Sequence, residues 1–193
     1  ASDAALLAWK AGDGGGWSET QLQSALSGFT HPETFRPVSL GCLQAGLAGE
    51  QLQVVGCERA GQGDLWQLER GLGDPAGWFP AEAAEPTWGE ARLLSASEDG
   101  EAARIVSAAL AADALSRLHV VWFRPGDANL YYAQWDGERW TGEQAVVKTS
   151  GTLSQEVSVG IAGDGTSLFV IWNDPAAGGL YYSLAPVVQA LEA

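Results

Sequence analysis

The sequence predicts an all-β protein of the β-propeller type, with about three four-stranded antiparallel blades and a partial one. Three observations support this fold class. The chain has 193 residues, of which 25 are glycine and nine are tryptophan, a composition typical of short strands joined by tight turns. Strand-like apolar runs alternate with Pro-Gly and Asp-Gly turns. Similar strand–turn–strand units also recur along the chain.

The repeat is clearest between His119–Trp135 and Phe169–Ala185, which align without a gap. Their sequences are HVVWFRPGDANLYYAQW and FVIWNDPAAGGLYYSLA. The identical pairs are Val120/Val170, Trp122/Trp172, Pro125/Pro175, Leu130/Leu180, Tyr131/Tyr181 and Tyr132/Tyr182. Because the identities occupy the same places in two strand–turn–strand units, chance is a poor explanation for them.

Two weaker copies, Asp3–Trp17 and Gly63–Trp78, extend the repeat towards the N-terminus. The leucines that open the corresponding runs are Leu6, Leu65, Leu130 and Leu180, so the spacings are 59, 65 and 50 residues. Spacings in this range are typical of propeller blades and other repeat arrays. We therefore predict a single propeller-type domain or fragment over residues 1–193. It divides into a partial blade at 1–26 and blades at 36–84, 91–147 and 156–193, the last of which need not be complete.

Each unit is interpreted as four strands. In the clearest unit they are Arg104–Leu110 nearest the axis, Leu118–Arg124, Leu130–Trp135, and Trp140–Val147 on the outside. The preceding unit uses Val38–Gln44, Gln51–Arg59, Asp64–Arg70 and Gly77–Ala83. The last unit uses Glu156–Ala162, Leu168–Trp172, Leu180–Leu184 and a segment at Pro186–Leu191. Small apolar residues in the first strand suit close packing near an axis.

The number of blades is too small for an ordinary closed ring, which needs about four to eight. Three arrangements are open: a fragment of a longer chain, a four-bladed ring closed by pairing the two ends, or a ring shared between chains. The sequence contains no methionine and begins within a unit, which favours the fragment.

The units LHVVWFRPGDANLYYAQWDGERWTGEQAVV and LFVIWNDPAAGGLYYSLA resemble blades of the sialidase-like β-propellers and their BNR-repeat relatives. The resemblance covers residues 104–184 well and residues 3–84 loosely, and it implies the fold rather than the chemistry. The S-x-D-x-G-x-T-W box of that superfamily is missing. Sialidase activity needs three arginines, a Tyr–Glu pair and an Asp acid, and only Arg36 in TFRPVSL is similar to one of those motifs. We interpret Arg36 as a surface residue before a strand.

The charge balance argues against several partners. Ten basic residues against 24 acidic ones give a formal net charge of −14, and the basic residues are scattered. Such a surface repels nucleic acid, whose phosphates require clustered Lys and Arg. No apolar run approaches the roughly 20 residues that span a bilayer, so no direct membrane insertion is expected in this segment. The acidic, lysine-poor and Trp-rich composition indicates an exported protein, extracellular or at the cell surface.

Only two cysteines, Cys42 and Cys57, are present. The turn near Leu47–Glu50 lies close to their midpoint, so a simple hairpin would bring them near one another. Either a disulfide between adjacent strands or two buried free thiols is compatible with this placement. A zinc site is not predicted, because neither His31 nor His119 adds a suitable partner.

Chemistry-bearing residues are few. His119 alternates with Val120 and Trp122 along a strand, and is interpreted as a packed structural residue rather than a catalytic one. The loop Ser95–Glu101 carries Glu98, Asp99 and Glu101, which leaves calcium as an alternative to no cofactor. Its acidic residues lack the spacing of a calcium-binding loop, so we predict no metal site.

The aromatic residues supply the candidate binding positions. Most tryptophans occupy repeat-equivalent places and are expected to pack between blades. Trp88 and Trp135 fall outside those places and are predicted to form exposed platforms. Tyr131/Tyr132 and Tyr181/Tyr182 alternate in pairs, so one member of each pair is expected to pack and the other to face outwards. Tyr132 and Tyr182 are therefore the remaining binding candidates.

Three functions are open. The first is a non-catalytic exported binding or scaffold module that recognises a protein or glycan, and enzymatic activity is the less favoured interpretation. The second is part of a glycoside hydrolase whose catalytic residues lie partly outside this segment. The third is a structural subunit of a larger extracellular or membrane-attached assembly, joined through open blade edges at residues 4–10 and 180–184.

Overall fold

The structure, a computed structural model, is described over part of the chain. The described residues are 6–10, 17–21, 40–49, 51–58, 63–71, 89–96, 105, 107–150, 157–161 and 166–186. Within these ranges the chain forms β-strands and no helix, so the all-β prediction is confirmed. No helix in the described parts has the length and apolarity needed to cross a membrane.

The strands of the described residues form four antiparallel sheets, which we number I to IV along the chain. Sheet I contains β1 (Leu6–Lys10) and β2 (Trp17–Gln21). Sheet II contains β3 (Leu40–Ala48), β4 (Gln51–Glu58), β5 (Leu65–Gly71) and β6 (Arg92–Ser95). Sheet III contains β7 (Ser107–Ala112), β8 (Leu118–Arg124), β9 (Asn129–Trp135) and β10 (Gln144–Lys148). Sheet IV contains β11 (Val157–Ile161), β12 (Ser167–Asp174) and β13 (Gly179–Pro186).

Sheet III is a meander whose turns follow from the local sequence. Between β8 and β9, Ala128 adopts a φ of 56°, and Asp127 accepts a hydrogen bond from the Asn129 amide at 3.2 Å. Between β9 and β10, Asp136 accepts from the amides of Glu138 and Arg139, each at 2.9 Å. Asp side chains commonly close turns in this way, so short polar segments are sufficient to reverse the chain.

The repeat found in the sequence corresponds to the same local structure in sheets III and IV. Trp122 is opposite Tyr131, and Trp172 is opposite Tyr181. The two ring pairs have centroid separations of 5.9 and 6.0 Å and interplanar angles of 19° and 20°. Identical residues therefore make the same cross-strand stack in both sheets, which stabilises each pair of strands.

Sheets II, III and IV pack face to face in chain order. One core lies between sheets II and III and includes Val55, Leu65 and Trp122. A second core lies between sheets III and IV and includes Leu130 and Trp172. Sheet III therefore presents one face to sheet II and the other face to sheet IV.

The first strands of these sheets lie beside one another, with β7 in contact with both β3 and β11. Small buried residues, Ser107, Ala108 and Ala109, make this close packing possible. On β3, Gly46 faces Leu110, and a Cβ atom at this position would lie only 3.1 Å from a Leu110 methyl carbon. The small residues predicted for the inner strand thus have a direct packing role.

Arg124 ties sheet II to sheet III. Its Nη2 donates to Ser95 Oγ on β6 at 2.7 Å and to Glu143 Oε2 at 2.7 Å. The guanidinium carbon lies 4.1 Å from the centroid of the Tyr131 ring. Burial opposes the charge on Arg124, but the bonds to Glu143 outweigh it, and the pKa of Arg124 is raised.

Two strand assignments are corrected by the pairing. The fourth strand of sheet II is β6, which the sequence analysis had placed in the following blade, while Gly77–Ala83 lie outside the described residues. In sheet III the outer strand begins at Gln144, and Trp140 makes only a single bridge with Trp135. The physical reason is that partner strands, not local apolarity, decide which segment completes a sheet.

Cys42 and Cys57 form a disulfide between β3 and β4, with their Cα atoms 5.6 Å apart. The strand pairing shifts register between Gly41 and Gln44, and Cys42 adopts a φ of 40°. The bond therefore sits beside a β-bulge, where the bulged strand can turn the Cys42 side chain towards its neighbour.

Candidate functional site

The largest exposed apolar side chains of sheet IV share one face. Leu180, Tyr182 and Leu184 on β13 are 72%, 70% and 61% exposed. Cross-strand pairing places Tyr182 opposite Ile171 and Leu184 opposite Phe169, both half-buried. The Phe169 and Tyr182 rings lie 5.5 Å apart. We call these five residues the outer face of sheet IV.

The repeat-equivalent face of sheet III is buried. There Leu130, Tyr132, Val121 and Phe123 pack against Leu168, Val170 and Trp172 of sheet IV. Sheet IV presents its outer face in the same orientation, but no described residue forms a corresponding sheet against it. An apolar face that is covered in one repeat is thus open in the next.

The strand β13 is also an edge strand. In sheet III the corresponding strand β9 lies between β8 and β10, whereas in the described part of sheet IV β13 pairs only with β12. The sequence from Gly179 to Pro186, GLYYSLAP, contains no charged residue. Long uncharged edge strands are sites for pairing with another strand, since their outward N–H and C=O groups need partners.

A pocket of about 190 Å³ lies between sheets III and IV. Its walls include Val147, Leu168, Val170 and Tyr132, with Ser183 on β13. The lining is mostly aliphatic, so the pocket suits a small apolar group rather than a charged one.

A buried polar chain lies behind one wall of this pocket. His119 is fully buried, its Nδ1 lies 2.8 Å from Tyr132 Oη, and its Nε2 lies 3.4 Å from Asp113 Oδ2. Asp113 also accepts from Arg117 Nε at 2.6 Å. Burial lowers the pKa of His119, despite the opposing effect of Asp113, and burial raises the pKa of Tyr132. Both ring nitrogens of His119 have partners inside the core, so the predicted packing of this residue is confirmed.

Of the predicted binding residues, Trp135 and Tyr132 were wrongly expected to be exposed. Each is only 3% exposed. Trp135 packs against Trp140 with ring centroids 5.8 Å apart, and the Arg92 guanidinium from sheet II lies 5.7 Å from its ring. Tyr132 is covered by sheet IV and held by His119. Tyr182 is exposed, whereas Trp88 lies outside the described residues.

The prediction that one tyrosine of each pair is buried and the other exposed is also wrong. Tyr131 and Tyr132 are both buried, and Tyr181 and Tyr182 are both exposed. Alternation does place the members of a pair on opposite faces, but a face is buried only when a neighbouring sheet covers it. Sheet III is covered on both faces, and the β13 end of sheet IV is not.

Other predicted sites fall where the structure gives no description. Arg36, Glu98, Asp99 and Glu101 lie outside the described residues. Among the residues that are described, no group of three or more His, Cys, Asp or Glu side chains is arranged to hold a metal ion.

Two groupings of residues, one structural and one exposed at the candidate site, were not predicted from the sequence. The chain Asp113–His119–Tyr132 depends on residues from a turn and two strands, and only the pairing register brings them together. The outer face of sheet IV includes Phe169 and Ile171, which the sequence analysis treated only as part of a strand. The signal available for both was the alternation of residues along β8 and β12.

Comparison with known proteins found no matching protein-family model and no matching curated protein.

Proposed function

We propose that this chain is a non-catalytic β-propeller binding module, exported to the extracellular space or cell surface, that binds a protein partner through the outer face of sheet IV. The observation that carries the proposal is the contrast between repeat-equivalent residues. Leu130 and Tyr132 are buried between sheets, whereas Leu180 and Tyr182 are exposed. Contiguous exposed apolar patches commonly mark protein contact sites.

Two features of the fold support the propeller arrangement. The inner strands β3, β7 and β11 lie beside one another, and sheets II, III and IV pack in the same orientation in chain order. Blades arranged around an axis have this geometry. The resemblance of residues 104–184 to sialidase-like blades agrees with it.

A protein is favoured over a glycan by the chemistry of the face. Tyr182 could stack on a sugar ring, but its neighbours Leu180, Leu184 and Ile171 have no polar side-chain atoms. Glycan recognition needs several hydrogen-bonding groups beside the aromatic ring, whereas a protein partner can bury the whole patch. A permanent subunit of a larger assembly would use the same surface with a larger contact area.

The proposal is tested with a photo-crosslinking residue, p-benzoylphenylalanine, placed at Tyr182 in the source cells. Leu115 provides the matched control, since it is 72% exposed, against 70% for Tyr182, but lies in the turn before β8. We expect one protein to crosslink at position 182 and not at position 115. The same products at both positions would overturn the proposal, as would glycan-array binding that Tyr182→Ala abolishes.

Export is tested separately through the disulfide. Cysteine pairs persist in oxidising compartments and are reduced in most cytosols. We expect Cys42 and Cys57 to resist thiol labelling when denatured directly from cells, and to react after reduction. Complete labelling without a reductant would contradict export.

A further inference from the structure

We propose that the outward edge of β13, which pairs with no strand in the described part of sheet IV, receives an extended strand from a basic, aliphatic segment of a partner protein, in the register that β10 adopts on β9. This inference rests on the proposed function and specifies the partner's element. Its basis is the internal repeat, because sheet III has a fourth strand, β10, beside β9, whereas no described residue of sheet IV pairs with the equivalent edge of β13.

The backbone groups that would bind the strand can be assigned from sheet III. The amide of Gln134 donates to Thr141 Oγ1 at 2.9 Å, and the Thr141 amide donates to the Gln134 carbonyl at 2.8 Å. The even-numbered residues of β9 therefore direct their N–H and C=O groups towards β10. Strands β12 and β13 have the register of β8 and β9, with Trp172 opposite Tyr181 as Trp122 is opposite Tyr131. The corresponding outward groups belong to Leu180, Tyr182 and Leu184.

The pairing of β10 also defines the side chains that suit this edge. Ala145 lies opposite Tyr131 and Val147 lies opposite Leu130, so a small residue and a β-branched residue fit the two positions. Lys148 donates through Nζ to the carbonyl of Asp127, and the Thr149 amide donates to Ala128 O at 2.8 Å. In sheet IV the turn positions equivalent to Asp127 and Ala128 are Ala177 and Gly178.

Charge favours a partner over a second copy of this chain. Each copy carries a formal net charge of −14, so two copies repel one another. The strand β13 contains no charge of its own, and a lysine on the incoming strand would be attracted by the field of the whole chain. A basic, aliphatic strand therefore fits the edge better than another β13.

The experiment uses residues 142–150 of this chain as an acetylated and amidated peptide with the substitution Glu143→Lys, GKQAVVKTS, so that the peptide is basic as the proposal requires. Hydrogen exchange of the full chain is followed by NMR with and without the peptide. We expect the amides of Leu180, Tyr182 and Leu184 to exchange about tenfold more slowly at saturation. The amides of Tyr181 and Ser183, which face β12, should be unchanged. Saturating peptide without this alternating protection would overturn the proposal.

Two substitutions at one position separate strand pairing from packing on the outer face. Tyr182→Pro removes the outward N–H and should abolish peptide binding, while Tyr182→Thr keeps the N–H and should retain it. Equal binding by the two variants would overturn the proposal. A thermal melt checks that both fold.

Two further results would show that something other than a partner protein covers the edge of β13, and each of them would contradict the proposal. Edge amides already protected in the free monomer would indicate that this chain covers its own edge. A dimer that light scattering detects and that Tyr182→Pro dissociates would indicate that β13 pairs with a second copy of this chain. The proposed function fails independently if crosslinking at Tyr182 yields no partner, whatever the peptide does.

Discussion

Sheets III and IV contain nearly the same hairpin, yet one lies inside the molecule and the other at its surface. Leu130, Tyr131 and Tyr132 are buried on β9, and Leu180, Tyr181 and Tyr182 are exposed on β13. The strand register and the Trp–Tyr stack are the same in both. The local fold is therefore set by the hairpin sequence, while burial is set by neighbouring strands.

The largest expected effect comes from truncating equivalent leucines. Leu130→Ala leaves a cavity in a closed core and should lower the free energy of unfolding by about 2–5 kcal/mol. Leu180→Ala removes an exposed side chain and should change it by less than about 0.5 kcal/mol. Urea denaturation followed by tryptophan fluorescence measures both. Similar losses would mean that β13 is covered in the free chain.

A smaller effect is expected from removing the guanidinium of Arg124, which bonds sheet II to sheet III and has no counterpart at the equivalent residue of sheet IV, Asp174. Arg124→Ala leaves Ser95 and Glu143 without their guanidinium partner and should cost about 2–3 kcal/mol. The control is Arg139→Ala, because Arg139 is 86% exposed and lies 3.8 Å from Asp136. It should cost less than about 1 kcal/mol in the same urea titration. Equal costs would show that Arg124 does not tie sheet II to sheet III.

The third comparison concerns pH, since His119 occupies the position that Phe169 fills in sheet IV. Burial lowers the pKa of His119 in the folded chain, so below about pH 6.5 the unfolded chain binds a proton that the folded chain does not. Stability should therefore fall as the pH is lowered from 7 to 5, by at most about 1.4 kcal/mol per pH unit. His119→Phe should remove this contribution. An unchanged pH slope in the variant, measured by urea midpoints, would contradict the assignment.

The smallest effects are expected in the turn between β8 and β9 and in the equivalent turn between β12 and β13. Ala128 adopts a φ of 56° and its equivalent Gly178 a φ of 91°, a region in which a Cβ atom is unfavourable. A Cβ on Gly178 would meet no atom within 4 Å, so only the backbone conformation is affected. Gly178→Ala should destabilise the chain by about 1 kcal/mol, and Ala128→Gly should stabilise it by a similar amount. Thermal melts of both variants test the opposite signs.

Much of the architecture was predictable from the sequence because strands and turns have local signatures. The expected strand Leu118–Arg124 agrees with β8 at both ends, and the expected start at Leu130 differs from that of β9 by one residue. Period-two alternation also placed His119 on a strand face distinct from that of Trp122.

The candidate site was less predictable, because exposure depends on distant partners. Trp135 is buried by Trp140 and by Arg92 of sheet II, a contact that no local pattern encodes. Strand β6 joined sheet II for the same reason, as its pairing with β5 spans more than twenty residues of chain. Tyr182 and Tyr132 each end a Leu-Tyr-Tyr sequence at equivalent places in the repeat, and their different exposure follows from the position of their sheets.

The contacts of β7 with β3 and β11 couple the stability of sheet II to that of sheet IV. Sheet III has extensive strand contacts with both sheet II and sheet IV within the described residues. Loosening the disulfide-linked hairpin β3–β4 would thus influence the outer face of sheet IV mainly by disturbing the small residues around Ala108. Where stability depends on contacts between neighbouring sheets, sheet III determines whether sheets II and IV unfold together as one cooperative unit.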